Sequence, residues 1–571
     1  MKNFRYLLIL TLFIPLFNSC KKDFLNGQPF STTSTENFYK TAADIDQALT
    51  GCYSILNSGS VQGQSGGIFF IQFPTLGTAG TDEMVTRVSQ TEASYSPIGY
   101  GAWNSQSIFI QDTWTFLYIG INRCNVLLEK LPAINMDDAR KTQIMAEARF
   151  LRGLEYMYLG MMYGGVPVVT VSNPDYNLPR NTVQEVFTQV FSDLDYAHKN
   201  LGVTSVALGR ANKYSAAGLL AKAYEWVGSC SLNKVGASLS FALNDYSWAN
   251  SITMYNNALE LTTEIINSNK YVLIAKYDYL FRETTKSYQY QEFLFNTEAS
   301  SDPANGNQPT YQATLIPLGN NASVGGGTCR IVPTGELFAK YSPAASGLVY
   351  TDFRKTWNFS AAIPATNPGY ETVEGVGYYV PKALALPIAG TAANSTVAAA
   401  VFYCSKFRYR DPKQKKIVLN NTDDNFPILR YAEVLLMHAE AIYFTSGNVT
   451  AARTFLSQIR KRAITPTLTL ATDINAALST LNTAYTNTDF VQELLDERAR
   501  ELCFEGSRHF DLTRFNRYTS VINSLTSDMS LGYNNTAVGL LKSNFTPNKI
   551  WFPLPYQQLL VEPALVQNPG Y

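Results

Sequence analysis

The residues best placed for acid–base chemistry are three glutamates spaced four residues apart near the C-terminus: Glu497, Glu501 and Glu505. This spacing puts them on one face of a helix, whereas a glycosidase needs two carboxylates that face each other across a cleft. Arginines are interleaved with them, at Arg498, Arg500 and Arg508. Opposite charges at such spacings pair along a helix. The pattern therefore predicts a salt-bridged structural helix, and we expect no enzyme.

Other signatures of catalysis or metal binding are missing from the sequence. The three histidines, His198, His438 and His509, show no H-E-x-x-H spacing. Asp423, Asp424 and Asn425 lack the spacing of an EF-hand loop, and no G-x-S-x-G elbow is present. We expect no catalytic residue, no metal and no cofactor.

Two clusters of aromatic residues beside amides or arginines point instead to binding. Aromatic faces stack on sugar rings, and amides and hydroxyls pair with sugar hydroxyls. The first cluster follows Arg87, in a loop whose Gly99 and Gly101 argue against a regular helix. The second lies among residues 285–425 and comprises Tyr311, Tyr350, Arg354, Trp357, Asn358, Tyr378 and Tyr379. The candidate ligand contacts are Arg87, Tyr100, Trp103, Asn104, Tyr311, Arg354 and Trp357.

The composition agrees with an uncharged ligand. The 571 residues contain 45 basic and 45 acidic side chains, and only 16% of the residues are charged. A balanced chain has no electrostatic footprint for nucleic acid. Aromatic residues make up 13%, although most single aromatics in any protein belong to the core.

The N-terminus has the features of a signal peptide. Lys2 and Arg5 precede an apolar run, residues 6–17, which is too short to span a bilayer. Ser19 and Cys20 end the run like a lipoprotein cleavage site, although Phe17 and Asn18 depart from the usual form. We expect removal of residues 1–19, lipidation of Cys20, and no later transmembrane segment. Cys124, Cys230 and Cys503 lie in apolar helical patterns typical of buried thiols, and a disulfide after export stays open.

These residues must be positioned by a scaffold of helices. Apolar periodicity and end signals predict helices at about 35–56, 112–131, 137–163, 182–201, 213–228, 248–267, 426–443 and 449–462. Thr182 and Glu185 form a capping box. Successive helices make three pairs, and the last pair has the length of a tetratricopeptide-type repeat. Residues 285–425 interrupt the helices with a Gly-, Pro- and Tyr-rich insertion, and loops on a rigid scaffold commonly carry binding sites.

Several blocks along the chain resemble the SusD/RagB family of nutrient-binding outer-membrane lipoproteins. The blocks occur in order, as CKKDFL at 20–25, GTDE at 80–83, YIGINRCN at 118–125, AEARFLRG at 146–153, YGGVP at 163–167, RYAEVLL at 430–436, ER at 497–498, EL at 501–502, FEG at 504–506, FDL at 510–512, FPLP at 552–555 and QNPGY at 567–571. The match runs nearly from end to end.

The resemblance implies a mainly α fold, with a tetratricopeptide-like α-α superhelix and a large irregular insertion that carries the ligand site. It implies one SusD-like domain over residues 20–571, with an N-terminal part at about 24–228 and a C-terminal part at about 280–571. The expected ligand is an oligosaccharide or polysaccharide, and the expected partner is a SusC-like TonB-dependent transporter. The expected location is the outer membrane, lipid-anchored and facing outside.

Three alternatives remain open from the sequence. The lipoprotein could bind peptides or another nutrient, as some members of the family do. It could be an extracellular glycoside hydrolase, for which the sequence offers no paired acid–base motif. It could also be a repeat scaffold that binds only proteins, but such a protein would not need the long aromatic insertion.

Overall fold

A computed structural model describes most of the chain after residue 37. The described residues are 38–57, 66–87, 92–300, 311–315, 329–341, 352–360, 369–373, 376–380, 403–407, 424–464, 469–526 and 534–571. The predicted signal peptide at 1–19, the lipidation site Cys20 and the aromatic residue Tyr350 lie outside the described residues. The side chains of 369–380, including Tyr378 and Tyr379, are likewise not described.

Helices dominate the described chain. The N-terminal half holds α1 (Ala42–Ser54), α2 (Gln72–Thr78), α3 (Ser96–Gly99), α4 (Ile108–Lys130), α5 (Asp138–Tyr163), α6 (Val183–Asn200), α7 (Lys213–Leu232) and α8 (Ser251–Asn267). The insertion holds the short helices α9 (Lys286–Gln289), α10 (Tyr311–Leu315), α11 (Gly335–Ala339) and α12 (Phe353–Asn358). The C-terminal part holds α13 (Tyr431–Ser446), α14 (Val449–Ile464), α15 (Ala471–Tyr485), α16 (Phe490–Leu502), α17 (Arg508–Arg514), α18 (Tyr518–Ser524), α19 (Asn534–Asn544) and α20 (Tyr556–Val561).

Local side chains fix where the long helices begin and end. The predicted capping box at Thr182 is confirmed, because its hydroxyl accepts from the Glu185 backbone N–H while the Glu185 carboxylate accepts from the Thr182 N–H. Asn212 caps α7 in the same reciprocal way with Ser215. Gly447 ends α13 in the left-handed conformation that favours glycine.

The three predicted helix pairs are confirmed. Helices α5 and α6, α7 and α8, and α13 and α14 pack directly against each other. Helix α6 also packs on α7, and α8 packs on α13. The packing of α8 on α13 continues the array across the insertion, because those helices lie far apart in sequence but adjacent in space. The mainly α, repeat-like scaffold predicted from the sequence is therefore present.

The described residues also form four two-stranded antiparallel sheets beside the helices. They pair β1 (Met84–Thr86) with β3 (Ile331–Pro333), β2 (Phe293–Thr297) with β8 (Phe426–Arg430), β4 (Phe359–Ser360) with β7 (Tyr403–Cys404), and β5 (Gly369–Val373) with β6 (Val376–Val380). The sequence predicts a helix from about residue 426, but 426–430 form β8 and the helix begins at Tyr431. Three of the sheets bring segments of the insertion against one another or against the N-terminal part.

The GTDE block at 80–83 joins the two ends of the chain. Arg508 pairs with Asp82 through two nitrogens, each 2.7 Å from a carboxylate oxygen. The Glu83 carboxylate accepts from the backbone N–H of Phe504. Both acids are buried, so this block is a structural joint between the N-terminal and C-terminal parts. Among the described residues, no helix combines the length and hydrophobicity needed to cross a lipid bilayer.

Candidate functional site

The glutamates that could do acid–base chemistry are buried in ion pairs. Glu501 contacts Arg354 at 2.9 Å and Arg430 at 2.6 Å, and also pairs with Arg462. Burial alone would raise the pKa of Glu501, but the charges of Arg462, Arg430 and Arg354 outweigh it and hold the pKa below its ordinary value. An ionised, fully paired carboxylate has no proton to donate and no access to a substrate. The predicted salt-bridged helix is confirmed for Glu497 and Glu501 on α16, whereas Glu505 lies beyond the helix end at Leu502 and most of the pairing arginines come from other elements.

Glu497 and Glu505 are used in the same way. Glu497 contacts Arg354 at 2.9 Å, Arg460 at 2.8 Å and Arg500 at 2.8 Å. Glu505 pairs with Lys406 at 2.5 Å and with Arg430 at 2.8 Å. These contacts fasten parts of the insertion and of β8 to α16. Within the described residues, no group of three or more His, Cys, Asp or Glu side chains is arranged to hold a metal ion.

Trp103, predicted to contact ligand, lies inside the protein. Only 2% of it is exposed, and its indole N–H donates to the Tyr571 hydroxyl at 3.1 Å. The Lys549 ammonium lies 4.7 Å from the ring centroid, and Phe552 packs against the ring. Gly101 adopts a positive φ of 68°, and the chain turns there so that Trp103 lies beneath the C-terminal residue.

Trp357 and Arg354, both predicted ligand contacts, anchor the insertion instead. The Trp357 indole N–H donates to the Lys406 carbonyl at 3.0 Å, and the Arg282 guanidinium lies 4.4 Å from its ring centroid. Arg354 is completely buried and pairs with Asp352 at 2.7 Å as well as with the glutamates of α16. A charge that is paired on several sides is already neutralised and has little to offer a ligand.

Tyr311 is buried as well. Its hydroxyl donates to the Phe504 carbonyl at 3.1 Å and lies 3.2 Å from the Thr78 hydroxyl. The structure therefore corrects the prediction for Trp103, Tyr311, Arg354 and Trp357, which are core residues of the loop and insertion. Their aromatic and charged groups instead hold together segments that are distant in sequence.

Arg87 and Tyr100 remain at the surface, where β1 ends. The Arg87 backbone N–H donates to the Arg330 carbonyl at 3.1 Å, and the Tyr100 hydroxyl donates to the Arg87 carbonyl at 3.1 Å. The Arg87 Nε is shielded from solvent and has no acceptor in the described part of the chain. A shielded donor without a partner is costly, so a ligand oxygen there would satisfy it. We call Arg87 and Tyr100 the β1-end surface.

Asn104 is exposed and lies in the turn that connects Trp103 to α4. Its carboxamide oxygen accepts from the Gln106 backbone N–H at 2.8 Å, which fixes the turn. The next carbonyl, of Ser105, accepts from the Tyr556 N–H at 2.9 Å. The turn therefore abuts the first residue of α20.

A groove with a volume of about 500 Å³ lies where α4, α20 and the loop 167–178 meet. We call it the α4–α20 groove; its lining includes Tyr118, Asn122, Asn173, Tyr176, Gln558 and Glu562. The Tyr176 ring is 93% exposed. Within the described part of the chain, the side-chain amides of Asn122 and Gln558 make no hydrogen bond. Burial raises the pKa of Glu562.

Hydrogen bonds fix the residues that form the walls of the groove. The Asn125 amide donates to the carbonyls of Val169 and Val171 at 3.0 and 3.2 Å. The Tyr118 hydroxyl donates to the Pro167 carbonyl at 2.8 Å, and the Asn177 side chain accepts from the Ala564 N–H at 2.7 Å. The loop is thus pinned to α4 and to the C-terminal segment, which makes the groove pre-formed.

The groove offers the groups that recognise sugars: an exposed aromatic ring, amides without partners and a carboxylate. Its volume lies in the range typical of small-molecule sites, roughly 300–1,000 Å³. Sequence reasoning missed it, because Tyr176 stands alone in a loop and Gln558 is almost 400 residues away. The one available signal was the Asn-, Pro- and Asp-containing segment around Tyr176.

A second groove, of about 450 Å³, lies between the loop 203–212 and β2. Its aromatic hydroxyls are already occupied, because Tyr271 accepts from Asn212 at 2.9 Å and Tyr290 donates to Glu298 at 2.9 Å. It has no aromatic ring as exposed as that of Tyr176. We therefore rank it below the α4–α20 groove as a candidate site.

The fold and these surfaces define a class: a helical-repeat protein built for binding, whose carboxylates on α16 are structural. Two family models match the chain, one described as the SusD family over residues 291–571 and one described as starch-binding associating with outer membrane over residues 23–224. The chain belongs to the SusD/RagB family, as its sequence blocks indicate.

Relatives match along almost the whole chain. The SusD-like protein P25 of Formosa agariphila is 25% identical over 97% of both chains. A SusD homologue of Bacteroides thetaiotaomicron has a crystal structure that superposes with a TM-score of 0.67 at 19% identity, covering 95% of this chain and 99% of that one. Surface glycan-binding protein A of the same species, in complex with laminarihexaose, superposes with a TM-score of 0.65 at 18% identity, covering 93% and 100%. At these identities the structural likeness establishes the fold.

Proposed function

We propose that this protein binds oligosaccharides or polysaccharides at the outer face of the outer membrane and passes them to a SusC-like TonB-dependent transporter. The observation that carries the proposal is the similarity of the fold to that of a protein in complex with laminarihexaose, with a TM-score of 0.65 across 93% of this chain and 100% of the other. Lipidation at Cys20 would attach the protein to the membrane.

The chemistry of the described surface agrees with a neutral, hydroxyl-rich ligand. The buried pairs of α16 occupy many of the chain's arginines and glutamates, so charge is withdrawn from the surface. The α4–α20 groove adds an exposed tyrosine ring and unpaired amides, beside the charged side chains of Arg123, Asp175 and Glu562. The pairing of Glu497, Glu501 and Glu505 supports binding without cleavage.

Two surfaces are proposed to contact the glycan. One is the β1-end surface, Arg87 and Tyr100, which adjoins segments of the chain outside the described residues. The other is the α4–α20 groove, with Asn104 in the turn next to α20. Asn104, Arg87 and Tyr100 are the residues selected from the sequence that the structure leaves at the surface, whereas the groove residues come from the structure.

Native gels that contain dissolved polysaccharides, laminarin and starch among them, test the proposal on the body of the protein, residues 21–571. We expect one polysaccharide to retard the wild type. Tyr176→Ala with Gln558→Ala should reduce the retardation at least tenfold if the groove binds it, and Arg87→Ala with Tyr100→Ala should do so if the β1-end surface binds it. Tyr288→Ala, an exposed tyrosine outside both surfaces, is the matched control.

The outcomes separate the function from the site. Retardation that survives in both double variants would refute both site assignments while leaving glycan binding intact. The transporter is tested by isolating the full chain from gently solubilised membranes and asking whether an outer-membrane barrel protein copurifies with it. If no barrel protein copurifies, the proposed delivery to a transporter is contradicted.

A further inference from the structure

Two buried thiols meet between the first described helix and α4. Cys52 lies on α1 and Cys124 on α4, and both are 0% exposed. Helix α1 packs directly on α4, and the side chains of Cys52 and Cys124 are hydrogen-bonded to each other. The two sulfur atoms therefore face each other across the helix–helix contact.

Neighbouring residues fix this approach of the two helices. The Arg123 guanidinium donates to the Gly51 carbonyl at 2.8 Å and to the Ser54 hydroxyl at 3.0 Å. Arg123 precedes Cys124, while Gly51 and Ser54 flank Cys52. The backbone on both sides of the thiol contact is thus held in place.

Two of the remaining described cysteines have other partners. The Cys503 sulfur lies 3.2 Å from the Tyr341 hydroxyl and accepts from the Asn358 amide at 3.3 Å. Cys230 is hydrogen-bonded to Tyr246. Among the six cysteines of the described chain, the contact between two thiols is made by Cys52 and Cys124.

We propose that Cys52 and Cys124 form a disulfide in the exported protein. The thiolate of one cysteine attacks the disulfide of a thiol–disulfide oxidoreductase outside the cytoplasm, and one sulfur of that enzyme leaves as a thiolate. The second cysteine then attacks the mixed disulfide and displaces the enzyme's other sulfur. This chain loses two protons and two electrons, and the enzyme becomes a dithiol. Because both cysteines are buried in the folded state, the exchange takes place while the chain folds.

The bond would fasten α1 to the scaffold. Helix α1 is the first helix among the described residues after the predicted anchor. A cross-link between residues 52 and 124 closes a long loop and restricts the unfolded chain. The proposal rests on export of the protein and is independent of glycan binding.

Sequential alkylation of the full chain, exported with its own leader and isolated with outer membranes, tests the bond. The membranes are denatured with iodoacetamide present, then reduced, then treated with N-ethylmaleimide, and the peptides are identified by mass spectrometry. We expect the maleimide on Cys52 and Cys124, and the first label on Cys230, Cys329, Cys404 and Cys503. An unreduced digest should contain the peptides of Cys52 and Cys124 joined and lighter by two hydrogens.

Two variants serve as a test of the pairing and as its control. In Cys124→Ala, Cys52 should take the first label, whereas Cys230→Ala should leave the Cys52–Cys124 link unchanged. If a variant fails to accumulate, the peptide map of the wild type still decides. Complete labelling of wild-type Cys52 and Cys124 by iodoacetamide, or a link from either one to another cysteine, would overturn the proposal.

Discussion

Trp103 illustrates how a single side chain can change its role with its surroundings. It follows Gly101 and Ala102 and precedes Asn104, a sequence typical of an exposed loop, yet its ring lies under Tyr571 and beside Lys549. The partner that covers it is 468 residues away in sequence. No local pattern carries that information, which is why sequence reasoning selected Trp103, and Trp357 with it, as ligand contacts.

Replacing Trp103 by alanine should therefore destabilise the fold. Loss of a large buried side chain costs about 3–5 kcal/mol of unfolding free energy, measured by urea denaturation of residues 21–571. Tyr176→Ala is the matched control, because removal of a 93% exposed ring should change stability by no more than about 0.5 kcal/mol. A Trp103→Ala protein of unchanged stability that no longer binds glycan would restore the surface assignment.

The shifted pKa of Glu83 predicts how the stability of the fold depends on pH. Burial raises its pKa to about 8, partly offset by the hydrogen bond from the Phe504 N–H. Since the unfolded carboxyl titrates near 4.5, the folded state holds a proton between these values that the unfolded state has lost. The contribution of protonated Glu83 to the unfolding free energy is therefore complete below pH 4.5, and it is lost as the pH rises to about 8.

Glu83→Gln removes that titration. The unfolding free energy is measured by urea denaturation from pH 5 to 9. As the pH rises, the unfolding free energy of the variant should increase relative to that of the wild type. The comparison between variant and wild type cancels the titration of other groups. A difference that stays constant across this range would show that Glu83 is ionised in the folded protein.

At the scale of elements, local signals were sufficient for most of the scaffold. The helix predicted at 137–163 is observed as Asp138–Tyr163, and the one predicted at 182–201 as Val183–Asn200. Apolar periodicity, caps and Gly-Pro endings lie within each helix, so the sequence carries them. Residues 426–430 became a strand because β2 pairs with them, and such a distant partner leaves no local trace.

Close contact between α2 and the Gly506 segment should be sensitive to a single methyl group. A Cβ at Gly77 would overlap the backbone carbonyl of Gly506, which cannot move aside like a flexible side chain. Gly77→Ala should therefore lower the unfolding free energy by about 1–3 kcal/mol. Gly539→Ala in α19 meets nothing within 4 Å, and we expect it to stabilise by roughly 0.5–1 kcal/mol. Equal melting temperatures for these two variants would contradict the contact.

At the scale of the whole molecule, the distribution of charge is more informative than its sum. The chain is neutral overall, with 45 residues of each sign, but the ion pairs of α16 and its neighbours lie inside. Composition predicted a surface poor in charge, and the structure shows where part of the charge went. The binding groove was beyond sequence reasoning, since its walls come from α4, the loop 167–178 and α20.

The most direct test of the central claim is a binding screen of the folded body, residues 21–571, on an array that carries plant, microbial and host glycans beside peptide pools. Circular dichroism of the same sample would establish that it is folded. We predict retention by at least one neutral glycan, with no release of shorter sugars. Retention by peptides alone, or cleavage of a bound glycan, would contradict the account.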